Sequence, residues 1–222
     1  MSRRVGEDPV EMQDAVGRRR HRAEVSRDRE PAEDVRKELQ RRNPGFDGKV
    51  EHKIEDGVVS ELKIVTDKVI DISPLRVFNA LRVLDLNGTH TAYVGNGQLA
   101  DLSPLTGMNL AGLSRLNLSF TMAGDAGLVH FNDCTNLTFL KLVGTKVTDA
   151  GLAHLKNHQG LTHLLLANTE VSDTGLAHFK DHKKLELVDV RKTKVSAAGI
   201  DELKKASPQC KFEWDGKVND PK

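Results

Sequence analysis

One segment of the chain, residues 137–160, reads LTFLKLVGTKVTDAGLAHLKNHQG. The next 24 residues repeat its pattern as LTHLLLANTEVSDTGLAHFKDHKK. Two further copies begin at Leu113 and Leu185, so four units follow one another without a gap. They share the pattern L-x-x-L-x-L-x-x-T-x-V-x-D-x-G-L-x-x-L. A period of this length indicates a repeat protein, in which each unit packs against its neighbours.

Two looser units precede these four copies. A unit of 22 residues runs from Val59 to Leu81, and a unit of 32 residues runs from there to Leu113. The additional residues of the second unit include Thr89–Gly97, where glycines and an asparagine predict a loop. The chain therefore contains six repeats, two of an Asp-x-Ser-Pro-Leu type and four of an Asp-x-Gly-Leu type.

Each unit has the pattern of a short strand followed by a short helix. In the segment L-x-L the leucines alternate with period two, which predicts a strand with both leucines facing inward. Thr148 stands where a helix needs an N-cap, and Leu152 and Leu155 then form its inward stripe. One unit cannot bury its apolar face alone, so the stacking of six units predicts an α/β solenoid with a curved parallel sheet.

Three further features fit this architecture: two positions that recur from repeat to repeat, which we call columns, and a terminal strand. An aspartate precedes the helix in Asp125, Asp149 and Asp173, where the positive end of the helix dipole would stabilise it. Phe212 and Trp214 take the inward positions of a seventh strand, which we expect to cap the array. The ninth position carries threonines that we expect to hydrogen-bond along the column of turns: Thr89, Thr121, Thr145, Thr169 and Thr193.

The repeat resembles bacterial leucine-rich repeats related to the cysteine-containing subfamily. The resemblance covers about residues 50–214 and includes Cys134-Thr-Asn-Leu137, which matches the C-x-x-L start of that subfamily's unit. It implies a leucine-rich-repeat fold that binds a protein or peptide. In eukaryotes such repeats often form the substrate-binding part of ubiquitin ligases, but no F-box is visible in residues 1–43.

The two Asp-x-Ser-Pro-Leu units carry a second resemblance. Together with residues 43–48 and 54–62 they resemble repeat segments attached to bacterial Ser/Thr kinases of the eukaryotic type. The chain has no kinase lysine strand, HRD loop or DFG triplet. This resemblance implies an alternative function, as a regulatory or scaffold component, or a detached repeat segment, of a kinase signalling system.

Residues 1–43 differ in composition from the repeats. They hold 12 Lys/Arg, 10 Asp/Glu and no aromatic residue, so we expect a mostly disordered tail that folding does not require. The basic run at residues 18–22 could suggest a nucleic-acid site. Acidic residues follow it directly, so we favour a solvated tail of mixed charge. A short helix near residues 32–42 would cap the repeat domain, which we place at residues 44–216.

The composition argues against several other functions. The formal net charge of +1 makes nucleic acid and anionic membranes poor partners. Cys134 and Cys210 have neither metal-site nor disulfide-framework spacing, and the two His-x-x-x-His pairs, at 154–158 and 178–182, repeat one outer helix position without a third ligand. No pattern supplies a nucleophile, a base and oxyanion donors together. We expect no enzyme activity, cofactor or metal.

Two features bear on location. The first 14 residues contain no apolar stretch of signal-peptide length. No run of about 18 apolar residues is present, as a membrane-spanning helix would require. We therefore expect a cytoplasmic protein, and we expect it to be a monomer.

The candidate binding residues lie on the concave face of the predicted sheet, which we call the open face. In L-x-x-L-x-L-x the third, fifth and seventh residues point away from the core. Several are apolar in the last three repeats, and adjacent strands lie about 4.8 Å apart, so these side chains would form one patch. Apolar patches rimmed by charges commonly bind partners. The candidate partner-binding residues are Arg115, Phe139, Lys141, Val143, His163, Leu165, Ala167, Leu187, Asp189 and Arg191.

Overall fold

The structure is a computed structural model that describes residues 32–92 and 94–216. The disorder predicted for the first 31 residues falls outside this range. Within it, β4 and β5 form a separate ribbon and the other strands form one sheet. The strands are β1 (Val50–Glu55), β2 (Val58–Ile64), β3 (Val83–Asp85), β4 (His90–Thr91), β5 (Val94–Gly95), β6 (Arg115–Asn117), β7 (Phe139–Lys141), β8 (His163–Leu165), β9 (Leu187–Asp189) and β10 (Lys211–Glu213).

The helical elements are short and follow the strands. Residues 32–42 form the first helix, α1. The other α-helical segments are α2 (Asp125–Leu128), α3 (Asp149–Leu152), α4 (Asp173–Leu176) and α5 (Ala197–Ala206). The 3₁₀ turns are Ser73–Val77, Ser103–Leu105, Val129–Phe131, Ala153–Leu155 and Ala177–Phe179. The Asp-x-Ser-Pro-Leu repeats thus have a 3₁₀ turn where the Asp-x-Gly-Leu repeats have an α-helix.

Equivalent positions of successive repeats lie side by side in the main sheet. Its order is β1-β2-β3-β6-β7-β8-β9-β10, and every pair except the antiparallel β1–β2 is parallel. The central residues of the strands are in register from Leu84 to Leu116, Leu140, Leu164, Val188 and Phe212. The predicted leucine-rich-repeat solenoid and its strand register are confirmed.

The core runs between the sheet and the helical wall. In the fourth repeat Leu140 and Leu142 point inward from the strand, Leu152 and Leu155 point inward from the helical turns, and none of the four is solvent-accessible. Burial of one such side chain contributes about 1.5–3 kcal/mol. Because each repeat is covered by its neighbours, this core is continuous along the array.

Aspartates of the Asp-x-Gly-Leu motif link each repeat to the next. The Asp149 carboxylate accepts hydrogen bonds from the backbone N–H and the hydroxyl of Ser172, the N-cap of the following helix, at 2.7 and 2.5 Å. Gly175 of that helix packs against the same carboxylate, where a Cβ atom would overlap it. Asp125 and Asp173 make the equivalent bonds. These aspartates therefore join neighbouring repeats, in addition to placing a negative charge at the start of each helix.

The threonine column is structural, as predicted, but its bonding differs from the expectation. The hydroxyl of Thr145 donates to the Leu142 carbonyl oxygen at 2.7 Å, so the bond closes the turn within one repeat. Thr121, Thr169 and Thr193 do the same. Bonding along the column is therefore wrong for these four residues. Thr89 differs from them, because its hydroxyl donates to the Asp67 carboxylate of the preceding repeat at 2.5 Å.

Helix α1 belongs to the folded core. Its side chains Ala32, Val35 and Leu39 are buried in the same cluster as the repeat leucines. Asn43 then anchors the segment, since its side chain accepts hydrogen bonds from the N–H groups of residues 70 and 71 and donates to two carbonyl oxygens. Because these side chains are buried, we expect folding to require residues 32–43, which revises the sequence-based expectation for residues 1–43. Their apolar spacing, with Val35 and Leu39 on one helix face, outweighs their charged composition.

Both ends of the sheet are closed by atypical strands. At the start β1 pairs with β2 through a turn at Asp56-Gly57, where both residues have positive φ. This hairpin was not predicted, although Asp-Gly between two β-rich segments favours such a turn. At the other end Phe212 and Trp214 pack partly buried against the core, and the Trp214 indole donates to the Val195 carbonyl oxygen at 3.1 Å. They stand at the predicted inward positions.

Candidate binding surface on the open face of the sheet

The open face is organised as two rows of side chains that cross the strands. The register pairs third-position residues with one another and fifth-position residues with one another. The third-position row is Glu61, Val83, Arg115, Phe139, His163 and Leu187. The fifth-position row is Lys63, Asp85, Asn117, Lys141, Leu165 and Asp189. Eight of the ten predicted residues lie in these rows or at their edge, on neighbouring strands.

The centre of the third-position row is a chain of ring contacts. The guanidinium carbon of Arg115 lies 4.3 Å from the centroid of the Phe139 ring. The Phe139 and His163 rings are tilted, with centroids 5.5 Å apart. Thr162 fixes the imidazole through a 2.9 Å contact between its hydroxyl and Nδ1. These three side chains therefore contact one another in a row across three strands.

An apolar centre lies beside these rings. Phe139, Leu165 and Leu187 are all half-buried, so each presents part of its side chain to solvent. Leu165 is the register partner of Lys141 on one side and of Asp189 on the other. Leu187 follows His163 in the other row. The structure thus places three of the five predicted apolar residues, Phe139, Leu165 and Leu187, on adjacent strands of this face.

Two of the predicted apolar residues are not on the surface. Val143 is 7% and Ala167 2% exposed, and they form a second apolar cluster with Phe120. The expectation that they face solvent is wrong, because they pack in one cluster with Phe120 of the third repeat. Leu165 packs against the edge of this cluster, which ties the patch to the body of the protein.

Phe120 is the residue of this region that the sequence pattern did not identify. Its backbone has φ of 60°, a left-handed conformation that bulky residues rarely adopt. The equivalent positions in the next two repeats are Gly144 and Asn168, residue types that tolerate it. In the last repeat Lys192 takes the same position, with φ of 55°. The available signal was a bulky aromatic residue at a position where the next two repeats carry Gly and Asn.

The predicted loop at Thr89–Gly97 is packed against Phe120. It contains the ribbon β4–β5, and His90 stacks on the Phe120 ring with centroids 4.0 Å apart. Gly95 and Gly97 approach the Phe120 carbonyl so closely that a Cβ atom on either would overlap it. The insertion is thus a fixed border of the candidate surface.

The far edge of the face carries charges that pair internally. Asp189 is only 6% exposed, which corrects the expectation of a solvated rim residue. Its two oxygens accept hydrogen bonds from Nε and Nη2 of Arg191 at 2.9 and 2.7 Å. Arg191 also pairs with Glu213 at 2.9 Å on the last strand. Burial of the carboxylate is possible because the guanidinium compensates its charge.

Both cysteines and His158 are buried away from the open face. Burial raises the pKa of the Cys134 and Cys210 thiols to about 11, which keeps both protonated and weakly nucleophilic. His158 is fully buried, with each ring nitrogen 3.0 Å from a carbonyl oxygen, those of Leu155 and Phe131. Across the described residues, no three His, Cys, Asp or Glu side chains group as a metal site would require.

The fold is shared with solved bacterial leucine-rich-repeat proteins. Internalin C2 of Listeria monocytogenes is similar with a TM-score of 0.52 and 19% identity, over 72% of this chain and 82% of that one. A leucine-rich-repeat protein of Leptospira interrogans is similar with a TM-score of 0.53 and 17% identity, over 69% of this chain and 36% of that one. An internalin (inlF) of Listeria monocytogenes is similar with a TM-score of 0.50 and 17% identity, over 68% of this chain and 41% of that one.

This protein is therefore a leucine-rich-repeat solenoid by fold. It spans less than half the length of two of these three neighbours. No protein-family model matches the sequence. No curated protein is similar to it in sequence. Within the described part of the chain, no helix combines the length and the apolar composition of a membrane span.

Proposed function

We propose that the protein is a non-catalytic interaction module that binds a protein or peptide segment on the open face. The observation that carries the proposal is the cluster of Phe139, Leu165 and Leu187, three large apolar side chains in solvent contact on adjacent strands. Neighbouring apolar side chains that are rimmed by charges commonly mark a binding site. Arg115 and Lys141 rim the cluster and would orient the partner.

The contacts within the surface support the same proposal. Ring contacts join Arg115, Phe139 and His163, and Leu165 packs against the buried Phe120 cluster. A surface that is ordered in advance loses little conformational entropy when a partner binds. The proposed partner would bind this face of a cytoplasmic monomer.

The resemblance of the two Asp-x-Ser-Pro-Leu units to kinase-attached repeats supports one context for this module. In that context the open face would recruit a component of a Ser/Thr kinase signalling system, with the chemistry performed by another chain. The relation to the cysteine-containing subfamily is likewise a proposal, supported by the C-x-x-L start at Cys134.

Photo-crosslinking tests where the partner binds. A photoreactive phenylalanine analogue replaces Phe139 in the full chain, and the matched control carries it at Lys180, which is exposed on the helical side. We expect a defined adduct from position 139 and none from position 180 in extract of the source cells. The same adduct from position 180 alone would place the site on the helical side and contradict the proposal.

A further inference from the structure

The charges on the open face are unequally satisfied. Each acidic side chain of the face has a partner within the protein. Glu61 lies 3.4 Å from Lys53, Asp85 accepts from the Asn117 amide at 3.0 Å, and Asp189 is held by Arg191. The negative charge of the face is therefore largely compensated inside the protein.

Two cations next to the apolar cluster have no such partner. Among the described residues, no carboxylate lies within ion-pair distance of Arg115 or Lys141. Arg115 lies beside Phe139 in one row, and Lys141 lies beside Leu165 in the other. The unpaired charge next to the apolar centre is therefore positive.

The position of Arg115 suits the recognition of a carboxylate. Its guanidinium lies over the Phe139 ring at 4.3 Å, a contact that uses the face of the guanidinium group. The N–H donors lie in the guanidinium plane and point outward from its edge, so they stay available for a carboxylate while the face is stacked. Lys141 stands diagonally across, two residues further along the next strand, within reach of the same anion.

We infer that the partner presents an acidic, extended peptide segment, with a carboxylate between Arg115 and Lys141 and an apolar side chain on Leu165 and Leu187. This inference rests on the proposed function and specifies the chemistry of its ligand. A peptide fits better than a nucleic acid because the cations adjoin aliphatic side chains and the net charge of the protein is only +1. An acidic residue followed by a large apolar residue would satisfy both halves of the surface.

Synthetic peptide pools test the inference with the full chain. Three pools of labelled peptides share a central Leu-x-Phe and differ only in flanking residues, which are acidic, neutral amide or basic. We expect the acidic pool to bind at least about tenfold more tightly than the neutral pool in fluorescence anisotropy. This preference should decrease as the salt concentration rises, since the cations are solvent-accessible.

Charge reversal supplies the decisive comparison. Arg115→Glu combined with Lys141→Glu should reverse the order, so that the basic pool binds best. The control, Lys156→Glu with Lys180→Glu, changes the net charge equally on exposed helical-side residues and should keep the acidic preference. The acidic inference would be overturned if the acidic and neutral pools bound the wild-type chain with equal affinity. If Leu165→Asp abolished that binding, the proposed function would still stand. No binding by any pool up to about 1 mM would also overturn the acidic inference, whereas the cross-linking at Phe139 tests the proposed function separately.

Discussion

Removal of the Asp149 side chain should show how strongly one repeat is attached to the next. In the folded protein this carboxylate accepts two hydrogen bonds from Ser172, at 2.7 and 2.5 Å, and both partners are partly buried. A hydrogen bond to a charged group contributes about 1.5–3 kcal/mol, and partial exposure to solvent reduces the sum of the two bonds to about 2–3 kcal/mol. We expect Asp149→Ala to lower the free energy of unfolding by about 2–3 kcal/mol.

The assay is equilibrium urea denaturation followed by circular dichroism. Asp133→Ala is the matched control, because Asp133 is exposed and its side chain makes no hydrogen bond to the described residues; it should change stability by less than about 0.5 kcal/mol. A double-mutant cycle with Ser172→Ala should give a coupling of at least about 1 kcal/mol. A loss from Asp149→Ala no larger than that of the control, or additive effects with Ser172→Ala, would refute the inter-repeat connection.

Three further results are expected. Leu39→Ala in α1 should cost about 2–5 kcal/mol in urea denaturation because Leu39 is fully buried, and an unchanged midpoint would show that α1 does not belong to the core. Lys192→Gly should raise the melting temperature by a few degrees, since φ of 55° costs a residue with a side chain about 1–2 kcal/mol; a lower melting temperature would show that Lys192 contacts outweigh this strain. Burial lowers the pKa of His182 below its usual 6.5, so the unfolded chain binds the extra proton and stability should fall as pH decreases below about 6.5. His182→Leu should weaken that dependence in melts from pH 7.5 to 5, and an identical pH profile would assign the dependence to other groups.

The repeat pattern predicted most of the fold because each unit has the same alternation of apolar residues and four of the units have the same length. The alternation of Leu140 and Leu142 defined the strand and its inward face, and the 24-residue period placed equivalent residues in register. Period and alternation are local properties of the sequence. The open face followed directly, since residues between inward leucines must point outward.

The sequence pattern failed where contacts join different parts of the chain. Burial of Val143 and Ala167 depends on Phe120 of another repeat, and the position of Phe120 depends on the inserted loop with His90. The role of α1 was hidden by its charged outer face, although Leu39 is inaccessible to solvent. The connection from Asp149 to Ser172 spans 23 residues, and a helix-dipole argument within one unit could not reveal it.

The central claim is that the open face binds the partner through Leu165. The direct test is the dissociation constant of the partner cross-linked at Phe139, measured for the wild-type chain and for Leu165→Asp. Val129→Asp serves as the control, since Val129 is an apolar side chain that is 45% exposed on the helical side. We predict a loss of at least about 30-fold in affinity for Leu165→Asp, equal to about 2 kcal/mol, with cooperative unfolding retained and with wild-type affinity in the control. Wild-type affinity in a folded Leu165→Asp protein would contradict the account.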